Sequence, residues 1–310
     1  MPEIVITEFM DEGAVALLKA RHDTLYDPQL VDRFDDLKRH AGEAKALIVR
    51  NRTQVRGELL EAAPRLSCVG RLGVGLDNID VEACAARGIE VYPATGANDL
   101  AVAEYVLACA MMLLRGAYHA TDAMIAGEWP RQKLIGGELA GRTMGLVGFG
   151  AIAREVGWRA QALGMQVVAY DPHVDAMHPA WQLARNVSLD GLLEIADAVS
   201  LHVPLTDATR HMIGAPQLAA MKPGAVLVNA ARGGVVDEQA LAAALRAGRP
   251  AGAALDVFET EPLTADAGAT FAGIPNLILT PHIAGVTAES NVRVSHLIAE
   301  KVLAHLGRTP

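Results

Sequence analysis

Thr143-Met144-Gly145-Leu146-Val147-Gly148-Phe149-Gly150-Ala151-Ile152-Ala153 reads as a buried strand that runs through a glycine turn into a helix. Gly148 permits the tight turn and Gly150 lets the backbone approach a pyrophosphate. A helix over residues 151–163 then turns its unpaired N–H groups towards the phosphates. Ala153 stands where a third glycine often packs helix on strand, a small enlargement that this arrangement tolerates. A second apolar run, Gln166 to Tyr170, ends in Asp171, 23 residues after Gly148. That is the place for a carboxylate accepting hydrogen bonds from an adenosine ribose. The same carboxylate repels a 2′-phosphate, and no Arg or Lys follows within Pro172-His173-Val174-Asp175. The pattern therefore favours NAD over NADP.

Roughly half the chain precedes this turn, so another unit must fold ahead of it. Short runs rich in Val and Ile alternate with longer Ala/Leu stretches from end to end, which predicts parallel sheets covered by helices. In the first part, strands are expected at 3–6, 47–50, 67–70 and 90–92. After the turn they are expected at 198–202, 225–229, 252–256 and 277–280, with helices at 215–221 and 238–247. The helix 98–115 is apolar on all sides and belongs at a domain junction or a subunit interface. A terminal helix near 288–306 has no strand after it and can pack back on the first unit. The expected organisation is α/β, with a nucleotide domain inserted into a discontinuous smaller one.

A chain of 310 residues, 51% hydrophobic and 20% charged, can bury two substantial cores. A net charge of -9 and a pI near 5.6 argue against nucleic acid or an anionic membrane as the main partner. No stretch approaches the roughly 20 uncharged apolar residues of a membrane span. Met1-Pro2-Glu3-Ile4 does not open a secretory signal, and a cytoplasmic location is expected. Cys68, Cys84 and Cys109 lie in apolar surroundings without metal-ligand spacing, and the histidines form no cluster with them. They are expected to be buried small hydrophobes, and no metal is expected.

Arg232, Glu261 and His282 lie at or just beyond the ends of successive predicted strands, where open parallel sheets bind ligands. Their chemistry is coherent. Hydride transfer from a carbinol carbon requires a proton to leave the oxygen, and an imidazole is suited to take it near neutral pH. A neighbouring carboxylate orients that imidazole and favours its protonated form, as Glu261 would do for His282. A guanidinium, planar and always charged, fits a substrate carboxylate, the role read for Arg232.

The blocks around these residues are long and specific. They are Val228-Asn229-Ala230-Ala231-Arg232-Gly233-Gly234-Val235-Val236-Asp237-Glu238, Leu255-Asp256-Val257-Phe258-Glu259-Thr260-Glu261-Pro262 and Thr280-Pro281-His282-Ile283-Ala284-Gly285. Together with Gly70-Arg71-Leu72-Gly73-Val74-Gly75-Leu76-Asp77-Asn78-Ile79-Asp80 and Asn98-Asp99-Leu100-Ala101-Val102-Ala103-Glu104, they resemble the D-isomer-specific 2-hydroxyacid dehydrogenase family across nearly the whole chain. The resemblance implies two doubly wound parallel-sheet domains. A Rossmann NAD domain, 98–282, would be inserted into a flavodoxin-like substrate domain, 1–97 plus 283–310. It implies that His282 is the acid/base, Glu261 its partner and Arg232 the carboxylate clamp. By the same resemblance Ala151 and Ile152 meet the pyrophosphate. Val74, Val203, Pro204, Ala230, Asp256 and Gly285 line the cofactor with Arg232 and His282, Asp256 lying near the nicotinamide amide. The backbone around Val74 and Gly75 holds the substrate carboxylate, and Asn98 sits at the cleft. Val203 is a departure, since relatives often carry Thr there. Pairing as a homodimer through the helix 98–115 is also implied.

Arg50-Asn51-Arg52-Thr53 resembles the basic loop that phosphoglycerate dehydrogenases direct at a distal phosphate, with Arg71 and Arg131 as further cations. A small acid with two anionic ends is then the expected substrate, 3-phosphoglycerate or 3-sulfolactate, since the N-terminal blocks also look like those of sulfolactate dehydrogenases. The alternative reading is that Arg50 and Arg52 pair with acids of their own domain. The chain lacks the regulatory extension of many phosphoglycerate dehydrogenases, which points to a non-biosynthetic role. Two alternatives stand beside the main expectation, a glyoxylate/hydroxypyruvate reductase and an NADH-sensing, corepressor-like binding protein.

Overall fold

The computed structural model describes residues 2–308. They divide into two compact units, one running to Asn98 and resuming at Val286, the other Asp99–Gly285. The first unit holds five parallel strands: β1 (Ile4–Ile6), β2 (Thr24–Tyr26), β3 (Ala46–Val49), β4 (Cys68–Arg71) and β5 (Glu90–Pro93), in the order β2-β1-β3-β4-β5. That is the flavodoxin-like order. Strand β1 is buried on both faces, Ile4 and Ile6 in one core and Val5 in another, which is why its sequence is continuously apolar. The helix Ala288–Leu306 covers the first of these cores with Ile298, Ala299 and Val302. Thr287 and Ser290 cap its start reciprocally.

The second unit is a seven-stranded parallel sheet: β6 (Thr143–Val147), β7 (Gln166–Tyr170), β8 (Arg185–Asn186), β9 (Ala198–Leu201), β10 (Val226–Asn229), β11 (Gly252–Leu255) and β12 (Leu277–Leu279). Its order, β12-β11-β10-β9-β6-β7-β8, is that of a Rossmann sheet with one strand added, and the switch point lies between β6 and β9. The pairing register places Tyr170, Val147, Leu201, Asn229, Leu255 and Leu279 in one row of aligned partners. The residues that follow them, Asp171, Gly148, His202, Ala230, Asp256 and Thr280, therefore leave the sheet side by side.

Three features differ from the expectation. The edge strands β2 and β8 are additional; both are short, and neither is fully buried, so they lack an apolar run. The second unit extends to Gly285 because the Asp256 carboxylate accepts the backbone N–H groups of Ile283 and Ala284, both at 2.8 Å. The helix Asp99–Arg115 is largely swallowed by its own unit, burying Val102, Val106, Leu107, Ala110 and Leu113. Its exposed positions form the stripe Leu100, Glu104, Ala108, Met111 and Arg115.

No helix among the described residues is long and apolar enough to cross a membrane. The three cysteines are unpaired and buried in three different cores. Burial, with help from Glu90, pushes the Cys68 thiol up to about 12, and burial raises Cys84 and Cys109 as well. Thiolate is the reactive form. In a thiol titration at about pH 8, a disulfide reagent should leave all three untouched in the native protein and modify all three after unfolding.

Candidate active site

The turn after β6 needs its glycine. Gly148 has φ +87°, and a Cβ there would lie 2.5 Å from the carbonyl oxygen of His202. Val203 packs under the same turn. Phe149 is wholly buried, stacked on Trp181 with ring centroids 4.9 Å apart, and the Arg154 guanidinium lies 5.7 Å from its centroid. Gly150 caps the helix Ala151–Ala162 without a side chain, and the space beside its Cα is open. The N–H groups around Ala151 and Ile152 are thus available to a phosphate. Buried Ala153 fills the place of the third glycine.

The Asp171 carboxylate accepts the N–H of Phe149 at 2.8 Å and that of His173 at 2.9 Å, one on each oxygen. Each oxygen keeps a further lone pair for a hydroxyl. An open cavity of about 700 Å³ adjoins it, lined by Tyr170, Asp171, His173, Asp175, Asn186 and Ser188 among others. Two carboxylates and no Lys or Arg line this cavity, a composition that accepts a ribose diol and opposes a 2′-phosphate. The glycine turn, the uncapped helix start and the paired acids fit NAD.

Further along the row, the structure brings Arg232, Glu261 and His282 together. Asn229, 1% exposed, folds the loop that carries Arg232: its side chain accepts from Ala231 N–H at 3.1 Å and donates to Arg232 O at 3.0 Å. Gly233 lets this loop lie on the next one, since a Cβ there would sit 1.8 Å from Phe258 O. Glu261 Oε1 accepts Phe258 N–H at 3.0 Å, and its Oε2 meets His282 Nδ1 at 2.7 Å. Burial pulls the Glu261 carboxyl up, but the bonds from His282 and Phe258 and the nearby charges of His282 and Arg232 outweigh it, so the net direction is down. An ionised carboxylate only accepts, so Nδ1 carries the hydrogen and Nε2 is left for another partner. The imidazole is 43% exposed, which leaves that nitrogen reachable.

His282 has φ +52°, a left-handed conformation that costs a β-carbon-bearing residue about 1–2 kcal/mol. Its neighbours hold it there. His282 N–H donates to Asp256 O at 2.8 Å and to Thr280 O at 3.0 Å. The Asp256 carboxylate, 1% exposed, takes Thr280 Oγ1 at 2.6 Å along with Ile283 and Ala284 N–H. Asp256 is expected at the nicotinamide amide; in the structure its carboxylate gathers the neighbouring loop after β12.

In the first unit, the 50–53 loop is organised by buried Glu8, which accepts the N–H groups of Arg50, Thr53 and Arg52 at 2.9, 3.0 and 3.2 Å. Asn78 donates to Arg50 O and Thr53 O at 2.9 and 2.7 Å. The two arginines then part company. Arg52 is ion-paired with Asp32 at the surface, whereas Arg50 donates to neutral Asn291 at 2.9 Å and lies over Phe9, 5.6 Å from its centroid. Burial pulls the Arg50 pKa down against the pull of Glu8. Asn51 is exposed, and Val74 and Gly75 are half-buried in the loop after β4. The Asn98 Oδ1 is buried with no hydrogen-bond partner among the described residues.

Glu8, Asn229, Thr280 and Asn291 escape the sequence reading as supports of the site. Glu8 stands two residues beyond β1, so the strand-end rule that marks Arg232 marks it too. Asn291 has no such signal, because only the folded first unit sets the terminal helix against Arg50.

The family model described as the D-isomer specific 2-hydroxyacid dehydrogenase NAD binding domain matches residues 107–284. The chain is 56% identical over 308 residues to an (S)-sulfolactate dehydrogenase of Chromohalobacter salexigens, covering 99% of each protein. It is 38% identical over 303 residues to a hydroxypyruvate reductase of Thermotoga maritima, covering 97% of each. Among solved structures, a D-lactate dehydrogenase of Aquifex aeolicus complexed with NAD and lactic acid superposes with a TM-score of 0.85 at 28% identity, over 98% of this chain and 95% of that one. The chain belongs to the D-isomer-specific 2-hydroxyacid dehydrogenase family and is an NAD-dependent oxidoreductase of 2-hydroxy acids.

Proposed function

We propose that the substrate pair is 3-sulfolactate and 3-sulfopyruvate, with His282 as acid/base, Glu261 as its partner and Arg232 as the carboxylate clamp. NAD supplies the hydride acceptor. His282 Nε2 takes the hydroxyl proton as the alcohol is oxidised and returns it to the carbonyl oxygen in reduction, while Glu261 on Nδ1 stabilises the imidazolium between those moments. Arg232 offers its fork to the carboxylate and so fixes which carbon faces the cofactor. The observation that carries the sulfonate reading is the 56% identity to a sulfolactate dehydrogenase over 99% of both chains.

Charge supports the same choice. A sulfonate carries one negative charge, whereas a phosphate ester carries about two near neutral pH. The 50–53 loop presents Arg50 as its one cation whose side chain is bonded to a neutral group, since Arg52 is taken by Asp32. The buried, unpaired thiols also suit a reducing, cytoplasmic setting.

NADH consumption with sulfopyruvate, phosphohydroxypyruvate, hydroxypyruvate and glyoxylate tests the reading. Sulfopyruvate should give the highest kcat/KM. Arg50→Gln should lower it by about 10- to 150-fold, the worth of a charged hydrogen bond, and leave glyoxylate nearly unchanged. His282→Ala should lose turnover on all four while still binding NADH. A preference for phosphohydroxypyruvate would overturn the sulfonate reading, and NADH binding without consumption of any of them would make this an NADH-responsive binding protein.

We infer, in addition, that the chain works as a homodimer. The helix Asp99–Arg115 exposes Leu100 and Met111, and the segment after it exposes Tyr118, Ile125, Trp129 and Ile135, with Trp129 76% exposed. Monomers seldom leave so many large apolar groups in water. Light scattering at micromolar concentration should give twice the chain mass, and Trp129→Glu combined with Ile125→Asp should return it to the chain mass. A wild-type monomer would end the proposal.

A further inference from the structure

A partly buried chain of hydrogen bonds runs from the helix Asp99–Arg115 to the His282 loop within the second unit. Tyr105 Oη lies 2.6 Å from Thr280 Oγ1, and Thr280 Oγ1 donates to Asp256 Oδ1 at 2.6 Å. The direction of both bonds follows from the end of the chain. Asp256 accepts backbone N–H groups on both oxygens, so it is an acceptor for Thr280 as well. The Thr280 hydrogen is therefore committed to Asp256, and its oxygen must accept from the Tyr105 phenol. Burial raises the Tyr105 pKa, which keeps the phenol a donor throughout the working range.

We propose that Tyr105 and Thr280 are positioning residues for the hydride-transfer reaction, acting through Asp256 to hold His282 in its left-handed backbone conformation. This rests on His282 being the acid/base. The segment 280–284 would otherwise relax, because a left-handed residue without a glycine's freedom persists only where its surroundings over-determine it. Here one aspartate supplies those surroundings through its carbonyl, which takes His282 N–H, and through its carboxylate, which takes the next two N–H groups and the Thr280 hydroxyl. Removing the hydroxyl loosens the carboxylate that the two N–H groups depend on. The imidazole then loses its aim while the nucleotide turn at Gly148, formed on other strands, is left intact.

Steady-state kinetics on the intact enzyme, with NADH binding followed by fluorescence, separates this from a merely structural role. Thr280→Val should lower kcat by about tenfold to a hundredfold, the range that a misplacement near 1 Å produces, with the NADH Kd held within about threefold. Thr280→Ser, which keeps the hydroxyl, should recover most of that loss. Tyr105→Phe should lower kcat by a smaller factor. Combined with Thr280→Val it should cause no additional loss, because without the Thr280 hydroxyl the phenol has no connection to Asp256 left to lose. Unchanged kcat in Thr280→Val, a serine variant as slow as the valine one, a fully additive double variant, or an NADH Kd that worsens in step with kcat would each overturn the proposal. His282→Ala serves as the control: turnover retained there would mean that the acid/base reading itself had failed, whatever the Thr280 variants do.

Discussion

Parallel strands hydrogen-bonded in register must end together, and the chemistry of this chain depends on that constraint. Because Val147, Leu201, Asn229, Leu255 and Leu279 are aligned partners, five segments far apart in sequence leave the sheet along one edge. A slip of one residue in any pair would displace a turn by about 3.3 Å and reverse which side chains face the two cores. The apolar content of both sheet faces forbids that slip, so packing far from the site fixes where Gly148, Arg232 and His282 begin.

At the edge itself a second device recurs. An acid just beyond one strand accepts backbone N–H groups from the turn after the neighbouring strand. Glu8 after β1 does this for the loop after β3, Asp171 after β7 for the turn after β6, and Asp256 after β11 for the loop after β12. Each such turn carries N–H groups that no ladder satisfies, and the carboxylate takes three of them at Glu8, two at Asp256 and one at Asp171 with charge-assisted bonds. The acids that stiffen these turns are thus distinct from Glu261, whose carboxylate addresses an imidazole.

These patterns also explain what could be read from the sequence. The nucleotide turn was legible because only glycine fits at Gly148, and the Arg232, Glu261 and His282 trio because strand ends and specific blocks coincide there. The parallel α/β plan of both units followed from the long apolar runs, whereas β2 and β8, short and only partly covered, carry no such run. Local sequence could not distinguish Arg50 from Arg52, since the difference lies in Asp32 and Asn291, each distant along the chain. Nor could it show that Asp256 spends its carboxylate on the loop after β12, because those partners lie 24 to 28 residues further along the chain.

The stacking of Trp181 on Phe149 gives the molecule a built-in optical probe. Of the three tryptophans, Trp129 and Trp158 stand 76% and 67% exposed, whereas Trp181 touches the buried ring of the nucleotide turn and donates its indole N–H to Asp175 O at 2.9 Å. Its indole thereby joins the turn to the wall of the cavity beside Asp171, where Asp175 is a lining residue. A dye-free emission signal is therefore tied to the glycine turn and this cavity, while the other two indoles face water.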